Sequence, residues 1–372
     1  MKQPRRKFWL LVFVTLVTGI LSQGATAEGH HPEPFTRVSG DKEESRSLQT
    51  AIRKLQHPDG GPVIFLTGVA HIGNEAYFDR LQKHLGELSL VLYEGVGDVA
   101  KGEKKERVGS VQTTLADSLG LHFQLDAIDY DRENFRNSDM SLEQIGFLMS
   151  GGDKSKMPPR EAPSTRKEHE EETSSPQEPE GEKVITIESA DPQTNPEFDR
   201  LMQVMDGTTA MGALVDGMVR LIGSSPKLQA LTKLMFVELL GGLKGDLSES
   251  PVMTPDMKEM ITVLIRSRNE LVLEDLKKAI KDSANRSISI FYGAGHMDDL
   301  ETRLVEKMGY EVKDTEWVTA FTVNFEEEGI SRAERTLIQY FINLQLQMIQ
   351  PPKQVGKEAE KEAAKEADPA SR

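Results

Sequence analysis

The chain is 372 residues long, with 45 Lys and Arg against 60 Asp and Glu, a formal charge of −15, no cysteine and 6% aromatic residues. An acidic balance of this size excludes sequence-independent binding to nucleic acid, which needs a basic surface to displace counterions. The missing cysteines exclude disulfides, thiolate metal sites, Cys nucleophiles and lipoprotein acylation, so a metal would have to be held by His, Asp or Glu.

The N-terminus has the form of an export signal. Lys2, Arg5, Arg6 and Lys7 are basic, residues 8–21 are an apolar run, and Ala25-Thr26-Ala27 offers the small residues a signal peptidase reads. As a helix the apolar run would span roughly 21 Å, short of the roughly 30 Å hydrocarbon core. Residues 1–27 are therefore expected to be a cleaved signal peptide, leaving a periplasmic or secreted chain without a stable membrane span. Residues 28–55 read as a flexible N-terminal arm and a helix.

From there the pattern alternates. Residues 62–67 are a short β-branched run closed by Gly68, a buried strand. Residues 77–88 have helical spacing through Phe78, Leu81 and Leu85, and residues 88–93 form a second buried strand. Residues 114–119 read as a helix ending at Gly120, and residues 123–130 as a third strand. Strand-helix-strand alternation predicts parallel crossovers. Residues 151–183 are rich in Pro, Ser, Glu and Lys and read as a disordered insertion. Residues 198–250 turn helical and are expected to form a cap. Residues 255–279 predict a long helix with Thr254 as its cap, residues 287–292 a fourth strand, and residues 300–308 a helix. Residues 310–323 read as a fifth strand or strand pair, and residues 331–349 as a last amphipathic helix. Residues 353–372 are a disordered charged tail. The fold class expected is α/β, one domain over residues 56–352 with a central mixed, largely parallel sheet flanked by helices.

Open parallel sheets bind ligands at the carboxyl ends of their strands. The first strand runs into Gly68-Val69-Ala70-His71, the second into Tyr93-Glu94-Gly95, the third into Asp129-Tyr130-Asp131, and the fourth into Gly293-Ala294-Gly295-His296. Two of these endings share G-x-x-H spacing although they lie more than 200 residues apart. The glycine of each motif is expected to let the chain turn without a Cβ clash, aiming its histidine across the sheet top. Two imidazoles and a carboxylate make an N/N/O set suited to a divalent transition metal, which can polarise a carbonyl and acidify water. Spacing leaves Glu94 open as ligand or general base. Gly95 to Ala100 matches G-x-G-x-x-A, but the charged residues 101–106 behind it lack the apolar face of a crossover helix.

With these residues in view, Leu66 to Gly73, Leu92-Tyr93-Glu94-Gly95, Arg268-Asn269, Phe291 to Met297 and Gly309-Tyr310 resemble the TraB/TIKI superfamily. Erythromycin esterases and haem-associated ChaN-like proteins are its distant kin. The resemblance covers roughly residues 60–150 and 255–325. It implies His71 and His296 as the motif histidines, Glu94 as the acidic residue and Arg268 as the arginine, with a peptidase-like activity using manganese or cobalt. Met297-Asp298-Asp299 departs from the usual turn beyond the second histidine; Asp298 or Asp299 could add a carboxylate to the site, with surface capping the preferred role.

The expectation is an exported metal-dependent hydrolase of a peptide or small amide or ester. His71, His296 and Glu94 would hold manganese, cobalt or zinc, and Glu94 and Arg268 would be the catalytic pair. The alternatives are a non-catalytic binder of a peptide signal, haem or metal, and metal-free ester cleavage with histidine as base.

Overall fold

The computed structural model describes residues 30, 32–95, 111–160, 210–243, 250 and 252–349. The expected signal peptide, most of the insertion, and the tail lie outside the described residues.

The fold opens on β1 (Thr36–Ser39) and β2 (Ser45–Gln56), followed by β3 (Val63–Val69), β4 (Ile72–Gly73), α1 (Glu75–Gly86) and β5 (Leu90–Tyr93). Then come α2 (Val111–Ser118), β6 (His122–Phe123), α3 (Gln124–Ala127), β7 (Phe135–Asn137) and α4 (Leu142–Met149). The middle segment forms α5 (Ala210–Gly223) and α6 (Pro226–Gly242). Beyond it α7 (Pro255–Ile261) passes through a π-helical stretch, Thr262–Ser267, into α8 (Arg268–Ala279). The chain continues through β8 (Ser287–Gly293), α9 (Met297–Met308), β9 (Glu311–Asn324) and α10 (Arg332–Ile349).

These elements make an α/β fold around one mixed sheet with a parallel heart. Strands β3, β8, β5 and β7 lie side by side in that order, every pairing parallel. Strand β2 runs antiparallel to β3, β1 continues along the same edge of β2, and β9 pairs antiparallel along its other edge. Alternation along the strands builds a layer on each face. On one face Ile64, Leu66, Ile288, Ile290 and Tyr292 pack with α8 and α9 through Val272, Leu276, Leu300 and Leu304. On the other, Val69, Val91 and Phe291 meet Phe78 and Leu81 of α1 and Leu234 and Val237 of α6. Among the described residues no helix is long and apolar enough to cross a membrane.

Residues 28–55, expected as an arm and a helix, hold β1 and β2 instead. Leu48, Ala51, Ile52 and Leu55 have the spacing of a helical face. In the structure, however, Leu48 and Ile52 enter one core and Ala51 and Leu55 the other. A strand covered on both faces superimposes two period-two patterns, and here the sum imitates a helix. The third strand is displaced as well. Residues 123–130 hold the end of β6 and the single turn α3, and the strand beside β5 is β7. Residues 310–323 form one long strand, β9, rather than a pair.

The middle helices pack as a layer. Helix α6 lies on β1, β2 and α10. Thr36 Oγ1 donates to the Leu240 carbonyl at 2.9 Å, and Arg46 Nε pairs with Glu238 at 2.8 Å. Gly241 permits the approach, because a Cβ there would stand 2.7 Å from the Val38 nitrogen and 2.8 Å from the Arg37 carbonyl carbon. Gly241→Ala is expected to lower stability by about 1–3 kcal/mol, the usual cost of overpacking against a backbone that cannot yield. Urea unfolding checks this, with Gly146→Ala, a helical position where a Cβ meets nothing within 4 Å, as the control that should gain rather than lose stability.

Candidate functional site

Each strand of the parallel block delivers one polar group at its carboxyl end. His71 follows β3, Glu94 follows β5, Asp139 follows β7, and His296 follows β8 through a short 3-10 turn, Ala294–His296. Arg268 comes from outside the sheet, at the point where the π-helical stretch gives way to α8. A π segment adds one residue to the turn and rotates the helix beyond it, and such segments recur beside functional groups.

Arg268 is the hub. Its Nε and Nη2 bind Asp139 Oδ1 and Oδ2 at 2.8 and 2.6 Å, and Nη2 also reaches Glu94 Oε1 at 2.7 Å. Asp139 is buried and accepts backbone N–H bonds from Gly95 at 2.9 Å and Met140 at 2.7 Å. Glu94 uses its other oxygen to accept the Gly293 N–H at 2.6 Å, which ties β5 to β8. Burial works against the Glu94 charge, but Arg268, then the two histidines and the Gly293 N–H, outweigh it and hold the carboxyl well below the usual range. Burial alone would lower the Arg268 pKa; Asp139 and Glu94 reverse the shift and keep the guanidinium charged.

Both histidines are fixed through Nδ1. His296 is fully buried, with Nδ1 2.8 Å from Asn269 Oδ1. Asn269 Nδ2 donates to the His296 carbonyl at 3.0 Å and to Asp299 Oδ2 at 2.8 Å. Two acceptors on the amide nitrogen set the amide orientation, so Oδ1 faces the ring and Nδ1 carries the hydrogen. His296 Nε2 is thereby left as a lone pair, 3.6 Å from Glu94 Oε1 and 3.5 Å from Arg268 Nη1. Burial is the main cause that lowers the His296 pKa to about 3; Glu94 opposes it, and Arg268 and His71 add to it. The ring is neutral across the physiological range.

His71 is held the same way, Nδ1 standing 2.7 Å from Gln124 Oε1. The Gln124 backbone N–H donates to the His71 carbonyl at 2.8 Å, and its Nε2 reaches the Tyr130 hydroxyl at 2.8 Å. Tyr130 in turn packs on Tyr93, with ring centres 4.8 Å apart. His71 is half-buried and His296 is sealed, so His71 is the histidine nearer solvent.

His71, Glu94, Arg268 and His296, the four site residues expected from the sequence, thus belong to one cluster. Asp129 and Asp131 do not join it and lie exposed on the surface. Asp298 and Asp299, read as surface caps, are both buried, and Asp299 anchors Asn269 and Arg303. The glycine expectation is also corrected at Gly68, which lies inside β3 rather than at a turn. A Cβ there would come within 3.3 Å of the Ala51 carbonyl and the Phe35 ring, so close packing is what demands glycine.

Asp139 and Gln124 are partners of the cluster that the sequence pattern does not single out, and Asn269, named there only beside Arg268, proves to hold His296. A signal for Asp139 exists, since it follows a parallel strand as the other three groups do, but the pattern places that strand too early. In kind, two imidazoles held through their Nδ1 atoms and one ionised carboxylate fit a divalent transition metal. In arrangement the set is not closed. Among the described residues no three His, Asp or Glu side chains stand where they could hold one ion, and Arg268 takes a lone pair of Glu94.

Compared with family models, curated proteins and solved structures, the chain matches none.

Proposed function

We propose that the chain is an exported, metal-assisted hydrolase of peptide or other amide and ester bonds, working at the cluster of His71, Glu94, Arg268 and His296. The observation that carries this reading is the matched pair of Nδ1–amide contacts, His71 on Gln124 and His296 on Asn269. Fixing an imidazole through its Nδ1 atom, so that Nε2 is left to bind, is how proteins prepare nitrogen ligands. The resemblance of the two G-x-x-H segments to the TraB/TIKI superfamily supports the same reading.

His71, His296 and Glu94 would hold the ion, and once bound it would supply Lewis-acid polarisation of a carbonyl and an acidified water. Arg268, charged and rigid on Asp139, steadies the negative charge that develops on the carbonyl oxygen. Glu94, with both oxygens engaged, acts as a fixed anion rather than a proton carrier. The Tyr93–Tyr130 pair beside His71 offers an aromatic wall to an apolar group of the substrate.

A second reading is metal-free hydrolysis with His71 as general base. The Arg268–Glu94 pair and the unclosed donor set favour it. In that case Nε2 of His71 takes the proton from water and Gln124 keeps the ring in the required tautomer.

Metal analysis of the purified chain, alongside His71→Ala and His296→Ala, decides between them. The metal-assisted reading expects about one manganese, cobalt or zinc per chain and its loss in either variant, together with loss of ester or peptide cleavage. Cleavage that survives exhaustive chelation but not His71→Ala establishes the metal-free reading. Cleavage unchanged in the double variant rejects both.

A further inference from the structure

Helix α10 has two apolar faces, and the domain uses one of them. Ile342, Leu346 and Ile349 are buried and, with Ile338, join the core against α6. On the outward side Leu337 is 68% exposed, Tyr340 69%, Phe341 47%, Leu344 44% and Met348 43%. Leu337, Phe341, Leu344 and Met348 are separated by four, three and four residues, the alternation of a coiled-coil seam. Residues 337–349 contain no charged side chain, in a chain that is 28% charged. Two of the charges at the helix start are engaged within the protomer, Glu334 by Lys227 at 2.8 Å and Arg335 by the Glu43 carbonyl at 2.9 Å.

We propose that this face is the self-association surface of the protein, two copies pairing α10 against α10 about a two-fold axis. A two-fold interface places the same patch on both partners, and a seam of alternating three and four spacings interdigitates with its own copy. The area is sufficient. Five large side chains at these exposures present on the order of 500 Å² of apolar surface, in the range of the largest patches on soluble monomers. Doubled across a two-fold axis this reaches about 1,000 Å², the size at which specific association begins. Charge confines a second copy to this stripe. Two chains of −15 repel one another over most of their surface, and this uncharged stripe is where they can approach. A bilayer surface would call for Lys and Arg beside the apolar stripe, and residues 337–349 supply none.

Sedimentation of the chain as the cell processes it tests the proposal. The wild type is expected to be a dimer at about 50 μM and to dissociate on dilution through the micromolar range. Phe341→Glu combined with Leu344→Glu should weaken association at least about a hundredfold. An unchanged circular dichroism spectrum would show that the variant, altered only at exposed positions, is folded. Because the chain has no cysteine, Leu344→Cys alone should give a disulfide-linked dimer on mild oxidation, and Ser283→Cys on an exposed turn should not. A wild type that is monomeric at about 100 μM overturns the proposal. So does a double variant that remains dimeric, or a monomer that binds phosphatidylcholine vesicles through Phe341 and Leu344.

Discussion

Arg268→Met is expected to lower unfolding free energy by about 3–5 kcal/mol, the cost of breaking a buried ion pair by removing one partner. Two carboxylates depend on this guanidinium. Asp139 is sealed from solvent and Glu94 nearly so, and no other cation within hydrogen-bonding distance of either is seen among the described residues. Backbone N–H bonds from Gly95, Met140 and Gly293 remain, which is why the loss should be large without abolishing folding. Methionine keeps the volume and adapts to the gap, so the effect reads the charge rather than a cavity. Adding Asp139→Asn to Arg268→Met should recover part of the stability, since one of the two stranded carboxylates is then neutral. Urea unfolding of the wild type and both variants measures this, and a loss below about 1 kcal/mol would mean that the carboxylates are not held as buried ions. Hydrolysis, on the function proposed above, should fall by about a thousandfold in the single variant, the scale of losing a fixed donor to a developing oxyanion.

Acid should destabilise the metal-free chain from an unusually high pH. In the unfolded chain the His296 imidazole takes a proton near 6.5, and in the fold only near 3. Between those values the unfolded state binds one more proton, so stability falls with pH by about 1.4 kcal/mol per unit. Glu94 acts lower down and with the same sign. Its folded pKa is depressed from 4.5, so its contribution is complete above 4.5 and is lost as pH falls below that value. His84, whose pKa burial beneath Phe65 also lowers, adds to the upper limb, so the difference between proteins is the quantity to follow. His296→Gln should flatten the limb between 6.5 and 4.5 and keep the carboxylate limb below it. Chemical denaturation at several pH values in the presence of chelator reads both. An identical pH profile in the variant would mean that His296 is not sealed in its neutral form.

The parts of this protein legible in its sequence are those where one local signal decides. The strands β3, β5 and β8 show as short apolar runs because both their faces are covered, and α7 announces itself through Thr254 and Pro255 at its start. His71, Glu94 and His296 could be found because a parallel sheet sends the residue after each strand toward a common edge. Strand β2 misled for an equally physical reason, its two buried faces adding up to a helical spacing. Strand β7 is only three residues long, too short to carry a pattern, and with it went Asp139.

By itself, then, the sequence determined the chemical vocabulary: no thiolate, an acidic chain, two G-x-x-H histidines and a carboxylate at strand ends, all within an α/β order of elements. Only the tertiary structure decided how those groups are used. The protonation of His296, the charge of Glu94 and the aim of Arg268 come from burial and from Asn269, Gln124 and Asp139. Those three partners reach the histidines and the arginine from helices α8 and α3 and from the end of strand β7. Ionisation and orientation are set by neighbours across space, and neighbours far apart along the chain leave no local pattern to read.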